Sequence, residues 1–248
     1  MLRIIKIFIL SCIITACSQP STTASVHYDV VIIGGTVIDG SGNKPQKEDV
    51  AIRGKTIVKI GALDHYTANK IIHAQGKVVT PGFINMLSWA TDSLVNDGRG
   101  LSDIVQGVTL EVFGEGWSMG PLTEKSKIQA QKDIDKSPQP YKIQWTTLEE
   151  YLEFLQHKGV SPNIASFVGA TTVRINAMGS VNREPTPAEL EDMKNQVKQA
   201  MEQGAMGVGS ALIYAPGFYA KTPELIALNK VVSQYGGMYI SHMRSEGN

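Results

Sequence analysis

Few residues of this sequence combine the type and spacing that metal or acid-base chemistry needs. The most promising group lies in "SHMRSEG", where His242, Arg244 and Glu246 follow one another two residues apart. In an extended segment, residues at this spacing share one face. Imidazole and carboxylate groups bind zinc, and a guanidinium group binds carboxylates. Glu115 in "TLEVFGEG" is a second carboxylate that could serve as a metal ligand.

These side chains require strands to hold them, and the sequence predicts parallel β/α units. Apolar, β-branched segments alternate with helical ones, so we expect strands at residues 78–87, 107–114, 163–169, 206–212 and 238–244. Alternation on the second strand predicts that Glu111, Phe113 and Glu115 share a face. Glu115 and His242 would both lie at the carboxyl ends of strands, where β/α folds keep their chemistry. The pattern leaves open a doubly wound sheet or the front part of a barrel.

Other elements have local signals. Thr147 with Glu150, and Thr186 with Glu189, form the capping-box pattern that begins a helix. A further helix is expected in "TPELIALNKVVSQYGG". From residue 28 to residue 77, short β-branched runs alternate with glycines, which predicts a small antiparallel β unit. The glycine spacing in "IIGGTVIDGSG" does not fit a dinucleotide-binding loop.

The first 17 residues, "MLRIIKIFILSCIITAC", have the pattern of an export signal. Their apolar run is too short for a transmembrane helix, which needs roughly 20 residues. Cys17 follows Ile-Thr-Ala as in a bacterial lipoprotein processing site, so we expect it to be lipidated and residues 18–27 to form a polar tether. The protein is then expected in the bacterial envelope, on the periplasmic side, with the lipid anchor as its contact with the membrane. A signal cleaved elsewhere is the alternative.

The composition excludes several other classes of protein. Cys12 and Cys17 are the two cysteines of the chain, so the mature protein has no internal disulfide and no thiolate metal ligand. The 23 basic residues balance the 23 acidic ones without a basic cluster, so nucleic acid is not an expected partner. Four histidines are predicted to be surface residues: His27, His65, His73 and His157.

Several segments resemble one known family. The passage through "VVTPGFIN" into β/α units, and later "REPTPAEL", "QGAMGVGSALIYAPGFYAKTPELIAL" and "YGGMYISHMRSEG", are similar to the N-acyl-D-amino-acid deacylase (D-aminoacylase) branch of the amidohydrolase superfamily. The resemblance implies an α/β fold, a metal-dependent hydrolase (β/α)8 barrel with a β-sandwich built from both chain ends. Family members are longer. The chain is therefore expected to hold a sandwich segment, residues 28–77, and the front part of the barrel, residues 78–248.

The resemblance also bears on the metal ligands after the first barrel strand. The family has a His-x-His pair there, preceded by an aspartate. In this sequence Leu87 and Trp89 take the two histidine positions, and Asn85 takes the aspartate position. The metal position made by that pair is therefore expected to be absent, unless Ser88 or Asp92 substitutes.

Without that metal position, the resemblance implies a site for one zinc ion. His242 matches a zinc-ligating histidine of the family. Glu115 adjoins Gly116, which takes the position of a cysteine ligand, and would replace that ligand. The alternatives are a hydrogen-bonded core histidine and a carboxylate satisfied by backbone N–H groups or an arginine.

Further residues are assigned to the substrate through the resemblance. Arg244 would bind the carboxylate of an acylated amino acid, or else pair with Glu246. Arg174 falls where the family has a loop near the substrate, and Tyr214 lies in a segment that lines the acyl pocket. The family's catalytic base, an aspartate on the last barrel strand, is expected beyond residue 248, so no catalytic base is assigned.

Three functions follow from these observations. The first is hydrolysis of a linear, non-peptide amide by a metal-activated water, with an N-acyl amino acid or a related small amide as the substrate. The second is a non-catalytic binding protein that kept the barrel scaffold and lost the metal. The third is a cyclic-amide hydrolase with the same fold and a different pocket.

Overall fold

The computed structural model describes residues 25–247, which form two compact units. The first unit extends to Pro81 and the second begins at Gly82. The boundary predicted after residue 77 is too early, because Val78 and Val79 pair with the sheet of the first unit. The export signal, Cys17 and most of the tether lie outside the described residues. Between residues 25 and 247, no helix has the length and apolar character to cross a membrane.

The first unit contains a mixed five-stranded sheet. Its strands are β1 (Val26–Val37), β2 (Gln46–Arg53), β3 (Thr56–Ile60), β4 (Tyr66–His73) and β5 (Val78–Val79). β2 is antiparallel to β1 and β3, whereas β4 and β5 are parallel to β1. The antiparallel prediction is therefore wrong for β4 and β5, because the chain crosses to the other edge of β1 after the β2–β3 hairpin. The predicted tether is also too long, since β1 begins at Val26.

This unit has a small core of Tyr28, Val31 and Ala51. Val31 and Ala51 are paired across β1 and β2, so their side chains project on the same side of the sheet. The second sheet that a sandwich requires is not among the strands described in this unit. The first unit therefore supplies a single layer.

The second unit contains parallel strands in sequence order. They are β6 (Phe83–Asn85), β7 (Val108–Phe113), β8 (Asn163–Ser166), β9 (Val168–Gly169), β10 (Gly207–Ala211) and β11 (Met238–His242). β6, β7 and β8 are neighbours in one sheet, and β9, β10 and β11 in a second. Phe167 alone separates β8 from β9, so the strand predicted at 163–169 is one segment with an interruption. The strand predicted at 78–87 is wrong in its first half, which belongs to β5.

Helices follow the strands of the second unit. They are α1 (Thr91–Asn96), α2 (Leu101–Ile104), α3 (Glu124–Ile134), α4 (Leu148–Lys158), α5 (Ala170–Met178), α6 (Pro187–Glu202) and α7 (Thr222–Gln234), with a short 3-10 helix, η1, at Gly217–Tyr219. Both predicted capping boxes are confirmed: Thr147 accepts from the Glu150 N–H, and Thr186 accepts from the Glu189 N–H.

The core of the second unit lies between its strands and helices. Three helices present apolar residues four positions apart, a spacing that puts them on one face: Tyr151 and Leu155 in α4, Met193 and Val197 in α6, Leu228 and Val232 in α7. They join Phe113, Val168 and Val208 of the strands in one buried cluster. Burial of each such side chain contributes about 1.5–3 kcal/mol. The helices are thereby held against the strands, and the carboxyl ends of the strands are left to the connecting loops.

Candidate active site

One pocket of the second unit lies at the carboxyl ends of its strands. Its volume is about 500 Å³, and its lining residues are Leu87, Trp89, Glu115, Trp117, Tyr214, Ala215 and His242. Leu87 and Trp89 follow β6, Glu115 follows β7, Tyr214 follows β10, and His242 ends β11. Loops at this end of parallel strands are where β/α enzymes assemble their sites. The pocket thus brings together Glu115, His242 and Tyr214, three of the residues that the sequence singled out.

Glu115 reaches the pocket because the strand alternation breaks at Gly114. Gly114 has a φ of 98°, and a Cβ atom there would lie 2.1 Å from the carbonyl oxygen of Phe167. Only glycine adopts this conformation at this distance without strain. Phe113 consequently points into the buried core, whereas Glu115 lines the pocket. The prediction that Glu111, Phe113 and Glu115 share a face is therefore wrong.

The neighbour of Glu115 has no room for a side chain. Gly116 has a φ of 83°, and a Cβ atom there would lie 2.5 Å from the Ala211 Cβ. A ligand side chain at this position would collide with β10. Of this adjacent pair, only Glu115 can therefore present a ligand group.

The Glu115 carboxyl is poorly solvated. Its Oε2 atom is buried and has no hydrogen-bond partner in the described part of the chain. Burial raises the pKa of the Glu115 carboxyl above its ordinary value, and a positive charge on His242 acts in the opposite direction. The sequence left open that an arginine or backbone N–H groups hydrogen-bond the Glu115 carboxylate. Among residues 25–247, neither kind of group hydrogen-bonds its Oε2 atom. An unsatisfied carboxylate oxygen beside an imidazole is a group that a cation would stabilise.

His242 lies at the end of β11, where it is paired with Ala211 of β10. Its Nδ1 lies 3.3 Å from the carbonyl oxygen of Met243, and its Nε2 lies 3.5 Å from Oε1 of Glu246. The Tyr214 ring meets the imidazole edge-on, with centroids 5.3 Å apart. Metal-binding histidines commonly use one ring nitrogen for such a carbonyl contact. Glu246 therefore faces His242. The alternative prediction, a pair between Glu246 and Arg244, is not found among the described residues.

Arg244 donates to backbone carbonyls. Its Nη1 lies 2.9 Å from the carbonyl oxygen of Phe218, and its Nη2 donates to the carbonyl of Ala220. These contacts attach the end of β11 to the segment that contains η1. Binding of a substrate carboxylate by Arg244 stays a prediction, and these contacts do not support it.

The prediction that Arg174 lies in a loop near the substrate is wrong. It lies in helix α5 and not in a loop, and its side chain is fully buried. Its Nη1 donates to Oε2 of Glu224, and its Nη2 lies 2.6 Å from the carbonyl oxygen of Arg183. A buried charge needs such partners, because desolvation without them is very unfavourable. Arg174 is thus a structural ion-pair residue, and it does not line the pocket.

The two positions that could have replaced the missing histidine pair have other partners. Ser88 donates its hydroxyl to Oε2 of Glu111 at 2.6 Å. Asp92 accepts a hydrogen bond from the Tyr141 hydroxyl. Neither residue lines the pocket, which at this side is bounded by Leu87 and Trp89.

Glu115 and His242 are the two described residues lining the pocket whose side chains are of types that bind zinc. A catalytic zinc ion usually has three protein ligands and one open position. Between residues 25 and 247, no group of three His, Cys, Asp or Glu side chains could hold a metal ion. Glu115 and His242 fit as part of a ligand set, because one has an unsatisfied oxygen and the other an imidazole in the same pocket.

Sequence reasoning missed two features of the site. Trp117 lines the pocket and packs on Tyr214, with ring centroids 6.4 Å apart. Its place in "GEGWSMGP", two residues after Glu115, was an available signal. The hydrogen bond between Ser88 and Glu111 joins residues 23 positions apart and had no local signal. The four histidines predicted at the surface are exposed, as expected.

No protein-family model matches the chain. D-aminoacylase of Alcaligenes xylosoxydans xylosoxydans is 32% identical over 228 residues, which are 92% of this chain and 46% of that protein. A structure of D-aminoacylase, with a binuclear metal centre that shows one-metal activation and second-metal attenuation, superposes with a TM-score of 0.79 at 32% identity. N-acyl-D-glutamate deacylase from Bordetella bronchiseptica, crystallised with zinc and a phosphonate inhibitor, superposes with a TM-score of 0.77 at 29% identity. Each structure matches 89% of this chain and 46% of its own.

The chain is homologous to the amino-terminal part of D-aminoacylases and N-acyl-D-amino-acid deacylases of the amidohydrolase family. Those relatives are metal-dependent hydrolases of linear amides. The resemblance found in the sequence is confirmed. The chain spans about half the length of the curated relatives that it matches.

Proposed function

We propose that this chain forms the amino-terminal part of a metal-dependent hydrolase that cleaves the linear amide bond of N-acyl-D-amino acids. The observation that carries the proposal is the meeting of Glu115 and His242 in one pocket at the carboxyl ends of β7 and β11. The relatives provide the substrate class, since they are named for D-amino acids that carry an N-acyl group.

The strand order supports a barrel as the scaffold. In a doubly wound sheet the strand order reverses at a switch point, whereas in a (β/α) barrel each strand neighbours the next one in sequence. β6, β7 and β8, and then β9, β10 and β11, follow sequence order and are parallel. The outer strands carry exposed apolar residues, among them Phe83 in β6 and Met238 in β11. We therefore propose that further β/α units complete a barrel on these edges.

The proposed cofactor is one zinc ion. His242 and Glu115 would hold it, together with ligands from a part of the protein that corresponds to the unmatched half of the relatives. A bound zinc ion lowers the pKa of its water to about 7 and polarises a carbonyl oxygen. Leu87 and Trp89 provide no ligand for a second ion, which is why the proposal is for one ion and not for a binuclear centre.

The residues of this chain have separate tasks in that reaction. Glu115 must be deprotonated to act as a ligand, and its raised pKa means that a neighbouring cation must favour the charged form. The carbonyl of Met243 and the edge of Tyr214 hold the His242 ring in orientation. The side chains of Leu87, Trp89 and Trp117 bound an apolar space beside these polar groups.

We also propose that the protein is exported and anchored by lipid at Cys17. The support is the sequence pattern of the first 17 residues, which lie outside the described part of the chain. Labelling with a radioactive fatty acid would test it. Label on the wild-type protein and none on Cys17→Ala is the expected result.

A hydrolysis assay tests the proposed reaction. The full-length protein, with this chain as its amino-terminal part, is supplied with zinc and incubated with N-acetyl-D-amino acids, the L-enantiomers and a cyclic amide, and release of free amine is measured. We expect release from the D-enantiomers. Release from the cyclic amide alone would favour a cyclic-amide hydrolase, and binding without any release would favour a non-catalytic relative. Either result would contradict the proposal.

A further inference from the structure

We propose that Leu87 and Trp89 form an apolar wall, the 87/89 wall, that binds an acyl chain longer than acetyl. This inference rests on the proposed function, and it assigns a substrate class to the same pocket. Both residues line the pocket that also contains Glu115 and His242.

The side chains of the 87/89 wall are large and apolar, and they are partly exposed to water inside a pocket. Contact of these side chains with an apolar ligand would therefore be favourable. Leu87 is 46% exposed and Trp89 is 56% exposed, and Tyr214 in the same pocket is 50% exposed. Trp117 packs on Tyr214 and extends the apolar lining. Apolar residues grouped around a concave space, with a few polar groups among them, are typical of a small-molecule site.

Hydrogen bonds on both sides of the 87/89 wall hold it in place. The Leu87 N–H donates to the Asn85 side-chain oxygen at 3.2 Å, and the Ser88 N–H donates to the Val112 carbonyl at 3.0 Å. The Ser88 hydroxyl donates to Glu111 at 2.6 Å and accepts from the Ala90 N–H at 3.2 Å. Ser88 and Glu111 are therefore positioning residues, and the segment that carries Leu87 and Trp89 is preorganised.

The polar groups of the pocket decide which part of a ligand meets the 87/89 wall. Glu115 and His242 mark the place of the reacting carbonyl, so the carbon chain on the acyl side of that carbonyl has Leu87 and Trp89 to contact. The lining contains no lysine or arginine that would favour an anionic group there. We therefore infer an uncharged, apolar acyl group. Burial of each methylene against this wall tightens binding by about fourfold.

Binding measurements along an acyl series test this inference. The purified protein is titrated with N-acetyl-, N-butanoyl-, N-hexanoyl- and N-octanoyl-D-leucine, and the quenching of tryptophan fluorescence gives each dissociation constant. We expect the constant to fall by about 16-fold with each pair of added methylenes that is fully buried against the wall. Trp89→Ala should flatten this dependence, and Ser88→Ala should weaken it. Val105→Ala, which changes an exposed apolar residue outside the pocket, should leave it unchanged.

The outcomes separate this inference from the proposed function. Equal affinity for all four acyl lengths in the wild-type protein would contradict the proposal that the 87/89 wall binds the acyl chain, even if hydrolysis occurs. A steep dependence on length that Trp89→Ala and Leu87→Ala both retain would also overturn it. A steep dependence that these variants abolish supports the wall, even if no amide is hydrolysed. Octanoate alone serves as the probe for unspecific apolar binding, and affinity equal to that of N-octanoyl-D-leucine would contradict a site built around the amide.

Discussion

The ion pair between Arg174 and Glu224 makes the sharpest prediction about stability. Both side chains are buried, with 0% and 3% exposure, and the pair links helix α5 to the start of helix α7. The guanidinium group keeps its charge under all ordinary conditions, whereas a carboxylate can take up a proton. Burial raises the pKa of the Glu224 carboxyl, and the charge of Arg174 acts against this rise. Loss of Glu224 should therefore be more harmful than loss of Arg174.

The expected magnitude follows from the burial of the pair. Removal of one partner from a buried ion pair costs about 3–5 kcal/mol, since the other charge stays in the core. Glu224→Leu should thus lower the free energy of unfolding by about 4 kcal/mol. The pair is also incompletely bonded: Arg174 Nε and Glu224 Oε1 have no partner among the described residues. The double variant Arg174→Met/Glu224→Leu should for this reason regain most of the loss.

Urea unfolding followed by tryptophan fluorescence measures these differences. All three tryptophans lie in the second unit, and Trp145 is buried in its core, so the signal reports that unit. With an m-value of about 2 kcal/mol/M, Glu224→Leu should shift the urea midpoint down by about 2 M. The matched control is Arg99→Met, which removes an exposed arginine from a surface pair and should leave the midpoint unchanged.

Two results would refute this reasoning. The first is a midpoint for Glu224→Leu within about 0.3 M of the wild-type value, since a buried and uncompensated guanidinium cannot be that harmless. The second is a double variant that is less stable than either single variant. That outcome would mean that the attraction between Arg174 and Glu224 stabilises the fold by more than the desolvation of the two charges destabilises it.

Three further predictions concern single residues. Burial raises the pKa of Glu111 above its ordinary value of 4.5, so its stabilising contribution is complete below pH 4.5 and is lost as the pH rises through the higher folded-state pKa. Glu111→Gln should therefore reduce the fall of the urea midpoint as the pH rises above 4.5, and an unchanged fall would contradict this. Thr186→Ala should lower the free energy of unfolding by about 1 kcal/mol through the lost helix cap, whereas Thr186→Ser should keep most of it, and equal losses in a thermal melt would contradict the capping role. Gly114→Ala should destabilise the second unit by at least about 2 kcal/mol, because its Cβ would collide with the Phe167 carbonyl, and a wild-type urea midpoint would disprove the constraint.

Much of the fold was predictable because its signals are local. The capping boxes at Thr147 and Thr186 fix where α4 and α6 begin, and both helices are found there. Helix α5 was missed because "ATTVRINAM" is rich in β-branched residues and its N-cap, Gly169, has no capping side chain. Residues 170–174 are all buried, so tertiary packing overrides a weak helix propensity there.

The candidate site was predictable where a residue ends a strand, and unpredictable where distant residues meet. His242 closes β11, and the pattern of that strand placed it correctly. Arg174 looked available for a ligand because its partner Glu224 is 50 positions away in the sequence. Strand alternation also misplaced Glu115, since a single glycine with positive φ turns the chain before it. Long-range pairing and backbone geometry carry the information that a one-dimensional pattern lacks.

Metal content is the most direct test of the central claim, that Glu115 and His242 belong to one metal site. The full-length wild-type protein, with this chain as its amino-terminal part, and the variants His242→Ala, Glu115→Gln and His157→Ala are analysed for zinc by mass spectrometry. His157 is exposed at the end of α4 and serves as the control. We expect about one zinc ion per chain in the wild-type protein and in His157→Ala, as for a single catalytic site, and little in the other two variants. Equal zinc content in all four proteins would contradict the account.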